Sequence, residues 1–417
     1  MRVLALGGSG GMGRFAVRAA VTIPGVDSIV VADLQASSAQ AFAATLSGKA
    51  TGIGLDVMDP GALRAAMREV DVVLNTTGPF FRLAVPILQA AIESGCHYLD
   101  ICDDWEPTLE MFALDAAARE AGITAVIGLG ASPGLSNLLG LAAMRELDSV
   151  EELYTGWDMS GAVPEDESSQ DGVNAAMVHG IQQLTGVVRV QREGAVEMAR
   201  PLDTVEIDYP GIGRRVAYIF GHPEAVTFPH HYPEIRTSLN LTHGVEGHLL
   251  VLKGLRGLVE RGWLSISRGA ALLGWLEGLA GGGSAEPVLS ADRLPAVFGL
   301  AVGTREGMPA SAAVTMGDIG EVGMGFVTGV SLACGLELLL NGSLVQRGVF
   351  APESGAIDPH GFFRVLSKKE GPDGSSSAPE SDMLLVTRSW DPDARKSYAA
   401  AIAAARMELE ARQAPAG

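Results

Sequence analysis

Cysteine is scarce in this chain of 417 residues, which contains three copies, Cys96, Cys102 and Cys334. Three unevenly spaced thiols cannot form a disulfide framework, and this low content is typical of proteins from a reducing compartment. Cys96 and Cys102 with the neighbouring His97 do not complete a metal site, because a structural zinc site needs about four ligands. We therefore expect buried free thiols, no bound metal and a cytoplasmic protein.

Positive charge is scarce as well. Lysine and arginine together number 30 against 49 acidic residues, which makes the net charge −19 at pH 7. A surface of that sign repels a phosphate backbone, so nucleic acid is excluded as a partner class. Charged residues make up 19% of the chain and hydrophobic residues 47%, a balance typical of packed globular proteins and not of disordered ones.

Long uninterrupted apolar runs are missing too. The first apolar segment, 3–6, meets Gly7 before it reaches the length of a signal-peptide core, about 7 to 15 residues. The most membrane-like stretch, 322–340, contains Glu337 and several glycines, so it predicts a helix buried against a sheet. We expect no membrane partner. A membrane-associated scaffold built on 322–340 is the alternative.

The length predicts two or three domains, at about 100 to 200 residues each. Up to Gly130, apolar segments of strand length alternate with segments of helix length, which predicts parallel strands joined by crossover helices in a doubly wound α/β sheet. The predicted strands are 3–6, 28–32, 70–75, 97–101 and 124–129, with 53–57 as a sixth candidate. The predicted helices are 13–22, 38–47, 61–69, 83–93 and 108–121.

A second domain is expected from about residue 132, where the strands become polar and alternating. The segments 200–209 and 214–220 show this alternation, and 295–302 with 311–316 predicts an antiparallel hairpin. We assign 132–317 to an α+β substrate and dimerisation domain, with a long helical pattern over 249–279. Apolar surface on this domain favours a homodimer. In 361–417 we expect a hairpin of 362–368 with 383–389 and a C-terminal helix over 399–412, with the placement of this region left open.

A glycine-rich loop follows the first predicted strand directly and opens the first helix. It contains Gly8, Ser9, Gly10, Gly11, Met12 and Gly13, and it fits the pattern G-x-G-x-x-G. This pattern allows a sharp turn at Gly8, close approach of a pyrophosphate at Gly10 and tight packing of the helix on the sheet at Gly13. Gly7 permits a second alignment of the pattern, one residue earlier. The loop predicts a dinucleotide site in a Rossmann domain over 1–131.

Asp33 ends the second predicted strand, 20 residues after Gly13. A carboxylate at this distance accepts hydrogen bonds from the ribose hydroxyls of the adenosine half of the cofactor. The next residues, Leu34 and Gln35, offer no positive charge to a 2′-phosphate, which favours NAD over NADP as the cofactor. The alternative is that Asp33 only caps the following helix.

Two further turns complete the predicted nucleotide site. Asp56 lies where a side chain contacts the adenine edge, and it is equally well explained as a turn residue before Asp59 and Pro60. The turn after the strand 70–75 offers hydroxyls and an approachable backbone to the nicotinamide ribose, or it is an ordinary turn. Its residues are Thr76, Thr77, Gly78 and Pro79.

Four segments together resemble the saccharopine dehydrogenase and lysine 6-dehydrogenase family of NAD(P)-dependent oxidoreductases. They are the glycine loop, the turn 75–79, the segment 95–100 and the segment 130–137, and the glycine-rich stretch 322–340 with the G-V-x-x-P-E pattern of 348–353 agrees with them. The similarity covers about 1–140 and 290–366. It implies that about 318–360 completes the first domain, and that a hydride passes to or from the carbon of a C–N bond in an amino-acid derivative.

Candidate acid–base residues come from two regions. Asp103 and Asp104 follow the strand 97–101 at the sheet edge, where either could bind an ammonium group or relay its proton, or could be a solvated capping residue. Five of the eight histidines fall between residues 222 and 248, and the stretch around His222 resembles a family segment near the active-site cleft. His222 is our preferred acid–base group, with an ordinary loop histidine as the alternative.

Candidate substrate-binding residues lie at the start of the second domain and within it. Ser132, Pro133 and Gly134 follow the last strand of the first domain, where free backbone amides could hold a carboxylate or the carboxamide of nicotinamide. The alternative is a helix start, with Ser132 as N-cap and Pro133 at the first position. The other candidates are Asn137, Arg215 and Arg236. Two rival functions remain open, a reductase of C=O or C=C bonds and a non-catalytic nucleotide sensor.

Overall fold

The computed structural model describes residues 1–46, 48–159, 175–244, 246–279, 290–316, 323–369 and 384–413. They divide into two compact units. The first unit contains residues 1–135 and the described residues from 324 to 369. The second unit contains the described residues from 136 to 323 and from 384 onward.

The first unit contains a seven-stranded parallel sheet. Numbered along the whole chain, its strands are β1 (Arg2–Leu6), β2 (Ser28–Asp33), β3 (Ala50–Gly54), β4 (Val72–Asn75), β5 (His97–Asp100), β6 (Thr124–Val126) and β15 (Gly348–Phe350). The spatial order is β15-β6-β5-β4-β1-β2-β3. The order reverses between β1 and β4, so the carboxyl ends of these strands flank the switch point where open sheets bind ligands.

Helices cover the parallel strands, and the inner strands such as β4 and β6 are buried on both faces as such a sheet requires. These helices are α1 (Gly11–Val21), α2 (Ala36–Ala44), α3 (Pro60–Met67), α4 (Phe80–Ser94), α5 (Trp105–Phe112), α6 (Asp115–Glu120), α12 (Met324–Leu340) and α13 (Pro359–Leu366). Helix α7 (Leu135–Met144) follows β6 and belongs almost entirely to the second unit.

Helix α12 packs closely on α1. A Cβ atom on Gly329 would lie 2.4 Å from the carbonyl oxygen of Met12, and the rings of Phe15 and Phe326 meet edge to face at 5.8 Å. The interpretation of 322–340 as a buried helix is therefore confirmed for the described part of that stretch. Among the described residues, no helix combines the length and the apolar character needed to cross a membrane.

The second unit contains a nine-stranded mixed sheet. Its strands are β7 (Ser149–Asp158), β8 (Val188–Arg192), β9 (Ala195–Ala199), β10 (Thr204–Tyr209), β11 (Gly213–Ile219), β12 (Thr237–His243), β13 (Val297–Arg305), β14 (Met308–Met316) and β16 (Leu384–Arg388). The main path is β10-β11-β12-β7-β13-β14-β16, with β8 and β9 branching from β12. Strands β7 and β12 are parallel and the other pairs antiparallel.

The helices of the second unit are α8 (Ala175–Gln183), α9 (Glu224–His231), α10 (Glu246–Glu260), α11 (Ile266–Leu279) and α14 (Ala394–Gln413). Tyr209, Phe298 and Tyr398 lie in the sheet core, where the ring of Tyr209 contacts the other two. A parallel doubly wound sheet with a second α+β sheet domain confirms the predicted fold class.

Several predicted elements differ from the structure. The hairpin of 362–368 with 383–389 is wrong, because 362–366 belongs to α13. Asp358 caps that helix by accepting a hydrogen bond from Gly361, and Pro359 occupies its first position. Strand β16 pairs instead with β14. The helical pattern 249–279 is two helices, separated by a turn with Gly262 at φ +71°. The sixth strand, predicted at 53–57, lies at Ala50–Gly54.

Candidate active site

The glycine loop connects β1 to α1 through a tight turn, in which Gly7, Gly8 and Gly13 have no room for a side chain. Gly7 has φ +68°, in the left-handed region that favours glycine, so the sharp turn lies at Gly7 and not at Gly8. A Cβ atom on Gly8 would lie 2.9 Å from the carbonyl oxygen of Ala5. One on Gly13 would lie 2.2 Å from the carbonyl oxygen of Gly7. The backbone itself therefore requires glycine at these positions.

Helix α1 begins at Gly11, with Gly10 as its N-cap in an extended conformation and no side-chain cap. The first N–H groups of a helix have no acceptor within the helix, and the helix dipole favours an anion beside them. Gly11, Met12 and Gly13 form this first turn, directly after the turn at Gly7 and Gly8. The loop thus presents the backbone donors that a pyrophosphate requires.

Asp33 is the last residue of β2, and its Oδ2 accepts a hydrogen bond of 2.6 Å from Ser9 Oγ. Helix α2 has Gln35 as its N-cap and no side-chain cap, so the alternative that Asp33 caps α2 is wrong. The contact joins the carboxylate to the glycine loop, where the adenosine ribose of a dinucleotide lies in this fold.

Asp56 lies in an exposed turn beyond β3. Its Oδ1 accepts a hydrogen bond of 2.8 Å from the amide of Met58, and its carbonyl oxygen accepts one from Asp59. These two hydrogen bonds support the interpretation of Asp56 as a turn residue. Its role at the adenine edge stays a prediction.

The turn after β4 contacts the glycine loop. Thr76 Oγ1 donates to the carbonyl oxygens of Leu6 and Gly7, at 2.9 and 3.1 Å, and Gly78–Pro79 leads into α4. Within the described part of the chain, Thr77 Oγ1 is buried and makes no hydrogen bond. A hydroxyl in that state beside a glycine turn suits a ligand that brings its own polar groups. The residues present therefore fit a dinucleotide.

A chain of buried polar groups links this turn to the next two strand ends. Asn75 Oδ1 accepts from the amide of Thr77, and Asn75 Nδ2 donates to Tyr98 Oη. Tyr98 Oη donates in turn to Asp100 Oδ2 at 2.8 Å, and Asp100 Oδ1 accepts from the amide of Gly128 at 2.7 Å. Burial raises the pKa of the Asp100 carboxyl to about 6, although its hydrogen bonds lower it.

Sequence reasoning assigned no role to Tyr98 or Asp100. The available signal was that Tyr98 and Asp100 stand two residues apart, on one face of a predicted strand. Their partners lie on β4 and beyond β6, so the contacts depend on the order of the strands in the sheet.

The predicted catalytic pair lies on the loop between β5 and α5. Asp104 is 8% exposed, and its Oδ2 accepts a hydrogen bond of 3.0 Å from the amide of Phe81 in the first turn of α4. This carboxylate therefore stabilises the N-terminus of α4. Asp103 is half-buried beside it. A catalytic role for either residue stays a prediction.

The loop from Gly128 to Gly134 is compact. The amide of Gly130 donates to the carbonyl oxygen of Pro133, and a Cβ atom on Gly134 would lie 2.1 Å from the carbonyl oxygen of Gly130. Helix α7 begins at Leu135, as predicted, so the alternative with Ser132 as N-cap and Pro133 at the first helical position is wrong. Ser132, Pro133 and Gly134 lie in a folded loop at the carboxyl edge of the sheet, where they remain predicted substrate-binding residues.

In the second unit, His222 lies between β11 and α9 and is 7% exposed. Its ring stacks on Trp157 with 5.4 Å between centroids and contacts Phe220 edge to face at 4.8 Å. The aromatic neighbours fix the ring orientation, and the acid–base role of His222 stays a prediction.

A buried polar cluster joins α7 to α9 in the same unit. Glu224 Oε1 accepts hydrogen bonds from Ser136 Oγ at 2.6 Å and from Asn240 Nδ2 at 3.0 Å. Asn137 Nδ2 lies 3.4 Å from Thr227 Oγ1. Sequence reasoning named Asn137 as a candidate and missed Glu224, although the acidic residue follows His222 by two positions.

The two predicted carboxylate clamps have partners of their own. Arg215 on β11 donates to the carbonyl oxygen of Asp292 at 2.8 Å, and its guanidinium lies 4.0 Å from that carboxylate. Arg236 is exposed and donates to the carbonyl oxygen of Glu193 at 3.3 Å. Binding of a substrate carboxylate by either arginine stays a prediction.

Comparison with known proteins gives results consistent with this geometry. Residues 3–126 match the family model described as the saccharopine dehydrogenase NADP binding domain. A carboxyaminopropylagmatine dehydrogenase from Synechocystis sp. is 21% identical, over 87% of this chain and 94% of that protein. A saccharopine dehydrogenase (NADP⁺, L-glutamate-forming) from Pyricularia oryzae is 30% identical over 29% of this chain and 26% of that protein.

Among solved structures, the apo saccharopine dehydrogenase (L-Glu forming) from Saccharomyces cerevisiae has the same fold. It matches with a TM-score of 0.59 and 18% identity, over 88% of this chain and 97% of that chain. The similarity therefore extends through both units. Together with the glycine loop, these matches confirm the predicted resemblance to the saccharopine dehydrogenase-like oxidoreductases.

Proposed function

We propose that this protein is an NAD-dependent dehydrogenase that acts on the C–N bond of an amino-acid-derived substrate. The observation that carries the proposal is the contact between Ser9 and Asp33 beside the glycine turn. The carboxylate is held by one oxygen, and its second oxygen is oriented with it at the end of β2. Named relatives that act on amine-containing compounds, the carboxyaminopropylagmatine and saccharopine dehydrogenases, support the C–N bond as the site of reaction.

The preference for NAD over NADP follows from charge. A 2′-phosphate beside Asp33 would add a repulsion of about 1 to 4 kcal/mol between charges about 4 Å apart, for dielectric constants between about 80 and 20. Leu34 is exposed and Gln35 is neutral, so the two following residues do not offset this repulsion. The name of the family model includes NADP, and our proposal is that Asp33 changes this preference in the present chain.

The first unit contains the groups proposed to bind the cofactor. In the first unit, the amides of 11–13 bind the pyrophosphate, Thr76 and Thr77 face the nicotinamide half, and the loop 130–134 offers backbone donors to a substrate carboxylate. NAD, when bound, exchanges a hydride with the substrate carbon. Asp103 is the better proton carrier of the acidic pair, because the Asp104 carboxylate already stabilises α4.

In the second unit, we propose His222 as the alternative proton carrier and Asn137, Arg215 and Arg236 as substrate-binding residues. The ring of His222 is held by Trp157 and Phe220, which is the rigid support that proton transfer requires. We further propose a cytoplasmic homodimer.

The experiment that tests the cofactor is calorimetry with NADH and NADPH. We expect the unmodified protein to bind NADH more tightly than NADPH. Asp33→Ala should weaken the affinity for NADH by about 10- to 100-fold, as for a lost charge-assisted hydrogen bond. The same variant should bind NADPH as well as or better than the unmodified protein. Asp358→Ala is the matched control, because it removes an exposed aspartate that caps α13 by accepting from the amide of Gly361. Equal losses for both coenzymes would refute the assignment.

The reaction class is tested by turnover. Purified protein with NADH is mixed with panels of imines, ketones and enoyl compounds, and oxidation is followed by nicotinamide absorbance. We expect turnover with imines formed from oxo acids and amines. Turnover with ketones or enoyl compounds alone would favour the rival reductase. Binding of the cofactor without any turnover would favour a nucleotide sensor.

A further inference from the structure

Fully buried side chains join the turn 76–79 to the loop 128–134. Asn75, Tyr98 and Asp100 are each fully buried in the first unit. Four successive hydrogen bonds of 2.7 to 3.0 Å run from the amide of Thr77 through these side chains to the amide of Gly128. The chain therefore runs from the end of β4 across β5 to the loop that follows β6.

The direction of every hydrogen bond in this chain is determined. The amide of Thr77 can only donate, so Asn75 presents its oxygen to Thr77 and its NH₂ group to Tyr98. Tyr98 Oη accepts there, which directs its own hydrogen to Asp100. From the other end, the amides of Gly128 and Cys102 donate to Asp100 Oδ1, at 2.7 and 3.1 Å. One carboxylate thus accepts the donors from both loops.

Such a chain resists local changes. If Thr77 moves, Asn75 loses its acceptor role, and a rotated amide would place NH₂ against the N–H of Thr77. No water can replace a lost partner at a fully buried site, so each broken hydrogen bond incurs the desolvation cost of the groups left behind. The Asp104 carboxylate accepts a hydrogen bond from the amide of Phe81, in the first turn of the helix that follows this turn.

We propose that Asn75, Tyr98 and Asp100 are positioning residues that transmit cofactor binding at the turn 76–79 to the loop 128–134. The bound nucleotide fixes Thr77, the chain fixes Asp100, and the carboxylate fixes Gly128 and the loop that follows it. The loop is thereby held more firmly for substrate when the cofactor is bound. This inference rests on the proposed function, since it requires that a dinucleotide occupies the turn.

The test is peptide-level hydrogen exchange of the full-length protein with and without NADH. In the unmodified protein, NADH should slow exchange in the glycine loop 7–13, in the turn 75–79 and in the loop 128–134. Tyr98→Phe deletes only the hydroxyl that links Asn75 to Asp100. We expect this variant to keep the protection of 7–13 and to lose about three- to tenfold of the NADH-induced protection in 128–134, as for one net hydrogen bond.

Two further variants separate positioning from folding. Asp100→Asn has the same size and breaks the same link from the carboxylate end, so it should give the same selective loss if Tyr98→Phe fails to fold. Tyr154→Phe is the matched control, because it removes a tyrosine–carboxylate hydrogen bond of 2.6 Å to Glu152 in the second unit. It should leave the protection of 128–134 unchanged.

The outcomes are distinguishable. If the role is merely structural, the substitution raises exchange equally with and without NADH. The ratio of the exchange rates without and with NADH in 128–134 would then equal that of the unmodified protein, and the inference would be overturned. If NADH fails to bind the unmodified protein, the proposed function is refuted and this inference with it. If Tyr98→Phe still binds NADH and loses NADH-induced protection selectively in 128–134, the inference is supported.

Discussion

Asp100 should make the stability of the first unit depend on pH in a direction opposite to that of a salt-bridged acid. Its carboxyl is fully buried, and burial raises its pKa from 3.8 to about 6. The folded state therefore binds a proton that the unfolded chain releases over the range between these two values. Because the folded state binds more protons, the free energy of unfolding falls as pH rises through this range.

The magnitude follows from the two pKa values. Between about pH 5 and about pH 8, the change in proton binding lowers the free energy of unfolding by about 1 kcal/mol, out of a full effect of about 3 kcal/mol. Asp100→Asn removes the titrating group, so this contribution disappears. The difference in unfolding free energy between the unmodified protein and the variant should therefore shrink by about 1 kcal/mol from about pH 5 to about pH 8.

The assay is urea unfolding at several pH values in this range. Unfolding is monitored by hydrogen exchange of peptides from β1 and β4, because these peptides report on the first unit alone. Asp59→Asn is the control, since this exposed residue caps α3 and its carboxylate stays in contact with water. This variant leaves Asp100 in place, so the fall in the free energy of unfolding between about pH 5 and about pH 8 should persist in it. A constant difference for Asp100→Asn across the range would refute the reasoning, because it would mean that the buried carboxyl titrates as it does in the unfolded chain.

The remaining predictions concern substitutions of Gly13 and Gly329. Gly13→Ala places a Cβ atom 2.2 Å from the carbonyl oxygen of Gly7, so the turn must open, and NADH binding by calorimetry should weaken by at least about tenfold while the second unit stays folded. Gly329→Val places a Cβ atom 2.4 Å from the carbonyl oxygen of Met12, so α12 must move away from α1, and the first unit should lose about 1 to 3 kcal/mol in urea unfolding. Binding equal to that of the unmodified protein in the first case, or unchanged stability in the second, would contradict these contacts.

Much of the first unit could be predicted because its signals are local. A buried parallel strand is a short apolar run, and a glycine pattern directly after it has few structural explanations other than a phosphate-binding turn. The strands β1, β2, β4, β5 and β6 and the start of α7 at Leu135 follow from such signals. The position of Asp33 at the end of β2 could be counted from Gly13.

Other features depend on partners far along the chain. The segment 362–368 looks like a strand because Phe362, Phe363 and Val365 suit either structure, and the capping contact of Asp358 decides for the helix. Strand β16 pairs with β14 across a separation that no local pattern encodes.

The amino-acid sequence by itself determined the glycine turn and the acidic residue that follows it, because both depend on backbone geometry within about 30 residues. The class of oxidoreductase followed from the resemblance of several segments of the sequence to a known family. Only the tertiary structure decided that Asp33 is held by Ser9, that Asp104 stabilises α4, and that Asn75, Tyr98 and Asp100 form one hydrogen-bonded chain. These contacts exist because strands that are distant in sequence become neighbours in the sheet, and burial there compels each polar group to find a partner.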